Sequence, residues 1–352
     1  MAAVLLMVAG ISPATAQFTQ VNAGLTAVSD GRALWGDYDN DGKLDLLITG
    51  MISGNNTGST ILYHNNGGGS FTAVGTPFVQ VGYSAGAWGD YDNDGYLDLV
   101  LSGMPTGSGD GISQYYHNNA NGTFSMTAAL AGSWFGSECW GDYNHDGCQD
   151  LLQGGRLTMV LYRNTNGTLV NSGISWPGQS YDSYLNAAWA DFNNDGEIDI
   201  AASVSTSYPN RGRILRNDNG VFNIMQEFPN CAFDCVAWGD YDNDGFLDLA
   251  IVGSDTVAGP FAKIYHNDGG TNFTDTGIVL PGVNYSSVAW GDYNNDGRLD
   301  LVLGGRVPAA TSHAFSAMTG ATCLRWSGPR RRNWPMQWSP GVITITMGGS
   351  TS

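Results

Sequence analysis

The residues best placed to do chemistry lie in six short stretches where aspartates recur at alternate positions. The stretches begin at Asp37, Asp90, Asp142, Asp191, Asp240 and Asp292, spaced 53, 52, 49, 49 and 52 residues apart. Each reads DxDxDGxxD, with Asn at the third position in three copies. Positions 1, 5 and 9 are Asp throughout: Asp37, Asp41 and Asp45; Asp90, Asp94 and Asp98; Asp142, Asp146 and Asp150; Asp191, Asp195 and Asp199; Asp240, Asp244 and Asp248; Asp292, Asp296 and Asp300. Position 3 is Asp39, Asp92, Asn144, Asn193, Asp242 or Asn294, always an oxygen donor. Position 6 is always Gly, as a sharp reversal with φ > 0 requires. Position 7 is Lys43, Tyr96, Cys148, Glu197, Phe246 or Arg298, an indifference to side chain that a backbone-carbonyl ligand permits.

Ca²⁺ takes six to eight oxygens, and a short loop supplies them from alternate residues. Positions 1, 3, 5, 7 and 9 are therefore the expected ligands, with one Ca²⁺ per intact repeat. Position 12, which carries the bidentate Glu of an EF-hand, is Ile48, Leu101, Gln153, Ala202, Ile251 or Leu303, so Asp at position 9 must close the site instead. An ion-free Asp/Asn/Gly turn is the plain alternative. Against it, three or four carboxylates within nine residues repel one another without a cation. Mg²⁺ suits so flexible a loop less well.

The same loops account for the charge. Lys+Arg number 14 against 32 Asp+Glu, a formal balance of −18, and 21 of the 32 acids are loop aspartates. Six bound Ca²⁺ would bring −18 to −6. Such acidity excludes nucleic acid and anionic membrane as expected partners.

Little remains for catalysis. His64, His117 and His266 occupy one repeated slot and read as scaffold; His145 sits inside a loop. No nucleophile–base pair, GxSxG or HExxH occurs, and no catalytic residue is assigned. A glycosidase would need two carboxylates spared from metal, 6.5–9.5 Å apart for an inverting enzyme. Glu138, Glu197, Glu227, Asp110, Asp182, Asp234 and Asp255 are the candidates, and nothing singles them out. Trp134, Phe135, Trp176, Tyr181, Tyr184, Tyr208 and Phe233 read as unrepeated aromatics between repeats, able to stack on a sugar or a protein partner.

The elements that position the loops follow from the repeat. Each loop is preceded by a run ending in Trp (Trp35, Trp88, Trp140, Trp189, Trp238, Trp290) and followed by an apolar run. Some twenty residues later comes a second landmark: ILYHNNGGGSF, YYHNNANGTF, LYRNTNGTL, ILRNDNGVF or IYHNDGGTNF. Each unit thus holds four strand-length runs joined by Gly- and Asn-rich hairpin signals. The expected fold is all-β, a β-propeller of four-stranded blades, with a linear solenoid as the alternative. The repeated Trp residues are expected to wedge the core. Gln17-Phe18-Thr19 matches the start of a fourth strand and would close the ring by completing the last blade.

These units resemble the FG-GAP/VCBS-type repeats of integrin α-subunit propellers and of many secreted bacterial proteins, over Gln17 to about Pro308. The resemblance implies a propeller, usually seven-bladed, with Ca²⁺ in the hairpin between the first two strands of each blade. It implies no single activity: such propellers serve in adhesion, in carbohydrate binding and within polysaccharide-degrading enzymes.

The ends differ from this pattern. Residues 1–16 read as a signal peptide, an apolar run closing on Ala14-Thr15-Ala16, so a secreted or cell-surface protein is expected. No segment has the roughly 18–20 apolar residues of a membrane span. Residues 17–311 are the expected propeller. Residues 312–352 lose the repeat, and Arg330-Arg331-Arg332 could be taken as a basic tail. A frameshift near Thr311–His313 accounts for them better. Codons for Trp338–Ser352 permit a shifted frame reading V-x-W-G-D-Y-N-N-D-G-R-L-D-L, close to Val288–Leu301. Six intact repeats and an out-of-frame seventh are thus expected, in a parent that could carry further domains. Of five cysteines, Cys231 with Cys235 and Cys139 with Cys148 could pair, or all could be thiols. The expected function is a calcium-binding propeller acting as a non-catalytic scaffold for an extracellular protein or glycan; the alternative is a carbohydrate-active module.

Overall fold

The computed structural model describes residues 23–306, apart from 53–56, 156–157, 178–185, 204–211, 229–230, 256–258 and 294, together with strands 313–319 and 322–325. Every regular element among them is a β-strand. The first repeat forms β1 (Val28–Gly36), β2 (Asp45–Ile52), β3 (Thr57–Gly67) and β4 (Ser70–Val74). The second forms β5 (Val81–Gly89), β6 (Asp98–Pro105), β7 (Ile112–Asn118) and β8 (Phe124–Leu130); the third β9 (Glu138–Gly141), β10 (Asp150–Gln153), β11 (Thr158–Asn164) and β12 (Leu169–Pro177). The fourth comprises β13 (Ala187–Ala190), β14 (Asp199–Ser203), β15 (Gly212–Asp218) and β16 (Val221–Phe228). The fifth comprises β17 (Cys231–Gly239), β18 (Asp248–Asp255), β19 (Gly259–Asn267) and β20 (Phe273–Asp275). A last sheet joins β21 (Asn284–Gly291), β22 (Asp300–Arg306), β23 (His313–Thr319) and β24 (Thr322–Arg325).

Each sheet is an antiparallel meander in sequence order, so each unit is a four-stranded blade of a propeller. The first strands of successive blades adjoin one another, β1 to β5, β5 to β9, β9 to β13, β13 to β17 and β17 to β21, which places them nearest the axis. Second strands are continuous apolar runs. Leu46 and Leu47, Leu99 to Leu101, Leu151 and Leu152, and Leu249 to Val252 are all buried, as befits strands covered on both faces.

The blade count corrects the sequence expectation. Five blades, β1 to β20, are complete, in place of six intact repeats and a seventh. The sixth sheet draws its outer pair from 313–325, which lacks the Tyr-His-Asn landmark that forms the third strand elsewhere. No seventh sheet occurs among the described residues. The signal peptide, the strand expected at Gln17 and the segment 338–352 lie outside them.

Side chains between blades form the core, one cluster per interface. Leu47, Leu62, Phe78, Leu99, Leu101, Tyr116 and Phe124 join blades one and two; Val100, Tyr115, Leu151 and Tyr162 join two and three. The Trp-Gly-Asp-Tyr run explains itself here. Trp88, Trp140, Trp189 and Trp290 lie against the previous blade's Gly, where a Cβ on Gly89 would come within 2.5 Å of the Trp140 ring. Trp140 and Trp238 also stack on the previous blade's loop aromatic: Tyr91–Trp140 centroids are 6.2 Å apart at 15°, and Phe192–Trp238 are 6.3 Å apart at 8°. The indole N–H groups of Trp140, Trp189, Trp238 and Trp290 donate to first-strand carbonyls of the preceding blade at 3.1–3.3 Å. The wedge role expected for these Trp residues is therefore observed.

Candidate metal centre

Each Asp-rich stretch is the hairpin loop joining the first and second strands of its blade. Asp at position 1 organises it: Asp37 Oδ1 accepts the N–H of Asp41 at 3.0 Å and Oδ2 that of Gly42 at 2.9 Å. The same pair of bonds recurs at Asp90, Asp142, Asp191, Asp240 and Asp292. Position 5 accepts the position-7 N–H, as from Lys43, Tyr96, Cys148, Glu197, Phe246 and Arg298 at 2.9–3.1 Å, a backbone contact shared by all six whatever the side chain. Glycine at position 6 adopts φ of 81–92°, as expected, and position 4 is also left-handed, at 55–62° in Asn40, Asn93, His145, Asn194, Asn243 and Asn295. Asn294 lies outside the described residues.

Position 9 is buried and does two jobs. Asp98 Oδ2 accepts the N–H of Tyr91 at 3.2 Å, and Oδ1 accepts that of Asn118 at 2.7 Å. Asp45, Asp199, Asp248 and Asp300 repeat the first contact, and Asp45, Asp150, Asp199 and Asp248 the second. The ninth-position carboxylate therefore ties the loop to the third strand before any ion is considered. Burial raises its pKa in each blade. Asp150 and Asp300 rise to about 6 and Asp199 to about 7, with neighbouring loop carboxylates adding to the effect; Asp45 and Asp248 move the same way.

The donor set fits a hard cation. One oxygen from each of Asp37, Asp39 and Asp45 lies within 4.8 Å of the others, as in Asp90, Asp92 and Asp98. One buried carboxylate and two more exposed ones held this close are stabilised directly by a positive ion between them.

Sequence reasoning missed a second-landmark contribution. His64 Nδ1 lies 3.1 Å from Asp39 and 3.3 Å from Asp45; His117 Nδ1 lies 3.0 Å from Asp92 and 3.4 Å from Asp98; His266 Nδ1 lies 3.3 Å from Asp242 and 3.2 Å from Asp248. These histidines line the loops, so the scaffold role assigned to them is incomplete. Where position 3 is Asn144 or Asn193, the same slot holds Arg163 or Arg216. Arg163 pairs with Asp146 at 3.0 Å, and Arg216 with Asp218 at 2.9 Å. Asp with His and Asn with Arg thus go together, a covariation within one chain that the sequence displays. Loops of the first kind carry four carboxylates; of the second kind, the Asp142 loop carries three beside Arg163, and the Asp191 loop adds Glu197 at position 7 to its three aspartates.

The Asn that follows in the landmark is a clasp between blades. Asn118 Nδ2 donates to Tyr38 O of the previous blade at 2.8 Å and to Leu97 O of its own at 3.0 Å. Asn164, Asn217 and Asn267 repeat the reach to the previous loop at 2.6–2.9 Å. Position 4 links loops in the other direction: Asn40 Nδ2 donates to Gly95 O, Asn93 to Gly147 O and Asn194 to Gly245 O, all at 2.9–3.0 Å.

The comparisons agree with this architecture. The FG-GAP-like repeat family matches residues 37–101, 90–153, 142–202 and 240–303, which together exceed half of the chain. This chain belongs to the FG-GAP-like repeat family. No curated protein matches the sequence. Solved structures similar to this FG-GAP-like chain include the exotype rhamnogalacturonan lyase YesX, at 14% identity and TM-score 0.52, covering 92% of this chain and 60% of that one. A mutant of AofleA from Arthrobotrys oligospora is similar at 12% identity and TM-score 0.50, covering 88% and 89%. The V. cholerae biofilm matrix protein Bap1 is similar at 16% identity and TM-score 0.45, covering 75% and 42%. At such identities the likeness shows the fold alone. The chain spans under two thirds of the lengths of Bap1 and YesX.

Other candidate residues resolve as follows. Cys139, Cys148 and Cys235 are thiols, so neither disulfide forms; the Cys139 thiol donates to Ala187 O at 3.1 Å. Glu227 pairs with Arg213 at 2.8 Å, Glu197 lies 3.3 Å from His145, and Asp110 is an exposed turn residue. Tyr181, Asp182, Tyr184 and Tyr208 lie outside the described residues, as do the side chains of Phe233, Asp234 and Asp255. The aromatics between repeats need one correction. Phe135, Tyr184 and Phe233 are repeated, because together with Tyr83 and Tyr285 they stand five residues before a blade's Trp. Asp30 holds that slot in the first blade. Counting back from Trp would have found it.

Proposed function

We propose that this chain is a secreted propeller that binds Ca²⁺ in its blade loops and serves as a non-catalytic binding or adhesion scaffold for an extracellular protein or glycan. The observation that supports it is the convergence of loop carboxylates at the same place in successive blades, with the position-9 carboxylate pushed toward protonation by its burial and, to a smaller extent, by its neighbours. A bound Ca²⁺ would be held by positions 1, 3, 5, 7 and 9 and would cancel that repulsion. Loops are themselves linked from blade to blade, so neutralising each one stiffens the face they form.

The test is thermal unfolding of the full chain in excess Ca²⁺ and in EDTA. Ligand at a hundred times its Kd stabilises by about 2.7 kcal/mol per site, so chelation should lower the melting temperature by many degrees. An unchanged melting temperature would remove calcium from the proposal.

The likeness to YesX favours a carbohydrate-active module as the second reading. Outside the loops, the described carboxylates offer no acid–base pair: Glu138 is buried and Glu227 is bound by Arg213. A lectin-like role therefore suits the chain better than a lyase. We further propose that the intact parent has a seventh repeat, lost here by a frameshift near Thr311–His313. Sequencing the gene decides this, since an uninterrupted frame with no repeat in the alternative frame would refute it.

A further inference from the structure

The position five residues before the blade's Trp falls within a register shift near the start of β1, β5 and β21 and beside one in β17, while Phe135 stands just ahead of β9. Tyr83 and Phe135 adopt left-handed backbones at φ 50° and 58°, as does Asp30 at 51°. Such conformations are costly for residues with bulky side chains and persist where the surroundings enforce them. Bulges also re-aim side chains, and they gather near binding sites. The metal loops leave the other end of the same strands, so this ring of bulges lies on the opposite face of the propeller, around the axis.

Three blades meet in it. The Tyr83 and Phe135 rings pack with centroids 4.4 Å apart, and the Phe135 N–H donates to Tyr83 O at 2.9 Å. The Arg32 guanidinium of the first blade passes over the second, where its counterpart is the small Ala85, and donates from Nη2 to Gly136 O of the third at 3.2 Å. Gly136 is next to Phe135, so the cation and the two rings are contiguous. Among the described residues Arg32 meets no carboxylate within ion-pair distance, and that neutral carbonyl is its one side-chain hydrogen-bond partner. An arginine left without an acid in a chain of 32 acids and 14 bases is notable. Arg32, Tyr83 and Phe135 are each half-buried, with part of their surface open.

We propose that this axial face binds a carboxylate-bearing saccharide, a uronate unit of a glycan, with Arg32 forking its carboxylate and Tyr83 and Phe135 lying against the apolar face of the sugar ring. Guanidinium and carboxylate match as a planar two-bond pair, and aromatic faces supply the flat apolar surface that a pyranose ring covers. The proposal rests on the binding-scaffold reading and gives it a ligand class.

The probe is a set of uronate oligosaccharides, titrated into the full chain by calorimetry beside the same oligomers with their carboxyl groups reduced to alcohols. Binding should be at least tenfold tighter for the uronate form and weaken as salt is raised. Arg32→Gln should lose that tenfold preference with its melting temperature kept, Arg32→Lys should retain part of it, and Phe135→Ala should weaken both forms about tenfold. Equal binding of the two forms overturns the proposal, as does undiminished uronate binding by Arg32→Gln or absence of binding to the wild-type chain. If Arg32→Gln fails to fold, the salt dependence and the reduced oligomers on the unaltered protein decide it alone. A titration repeated with EDTA separates this outcome from the calcium reading, which is judged by melting.

Discussion

Replacing Glu138 by glutamine should stabilise the protein at neutral and alkaline pH and abolish one pH dependence. Glu138 opens β9 and is 6% exposed, pressed against the second blade. Its Oε1 accepts from Gln153 Nε2 at 3.3 Å, and Oε2 is buried with no partner. Burial pushes its pKa from 4.5 up to about 8, against the smaller opposing effect of the polar groups beside it. The folded state therefore binds a proton that the unfolded state has released between those values. Stability falls where the folded state holds more protons, so the cost of Glu138 is absent below about 4.5, grows with pH, and is complete above about 8. At 1.36 kcal/mol per unit, a rise of some three units corresponds to about 3–5 kcal/mol. Glutamine has the same shape, keeps the acceptor for Gln153 and never ionises. Urea unfolding of both proteins at pH 4.5, 7 and 9 in saturating Ca²⁺ isolates this group, because all other titrations cancel in the difference. The variant should match wild type within about 1 kcal/mol at pH 4.5 and exceed it by about 3 kcal/mol or more at pH 9. A difference that does not change with pH, or a variant less stable at pH 9, would refute the reasoning.

Three further outcomes follow from the loops and interfaces. Asn164→Ala leaves the carbonyls of Tyr91 and Gln149 without their donor and should cost about 2–4 kcal/mol by chemical unfolding, whereas Asn66→Ala at an exposed turn should cost under about 1. Trp140→Ala removes the wedge between the second and third blades and should cost about 3–5 kcal/mol, with loss of the near-ultraviolet signal expected of the Tyr91–Trp140 stack. The loops at Asp37, Asp90 and Asp240, with four carboxylates each, should titrate with Ca²⁺ before the loop at Asp142, which has three; the double change Asn144→Asp with Arg163→His should move this third loop into the tighter class by calorimetry. Equal affinities before and after would contradict the charge argument.

The sequence alone determined the blade and its Asp-rich loop, because both are short-range. Nine residues place the loop oxygens, and glycine at position 6 sets the turn. A fifty-residue period with four apolar runs leaves few ways to bury them other than a four-stranded sheet. What tertiary structure decided depends on residues from different repeats meeting. The third-strand Asn looked like part of a hairpin, yet Asn118 and Asn164 bind the previous blade's loop, a partner some 75 residues away. The His slot looked structural until the third strand was folded beside the loop, which brought His64 within 3.1 Å of Asp39. The blade count also changed, because the sixth sheet takes its outer pair from 313–325, which carries no landmark. Two aromatics that seemed scattered along the chain, Tyr83 and Phe135, proved to pack together, since a propeller turns a sequence period into a ring. The Asp-rich loops could be read from the chain as written, but the face opposite them exists only once the blades surround an axis.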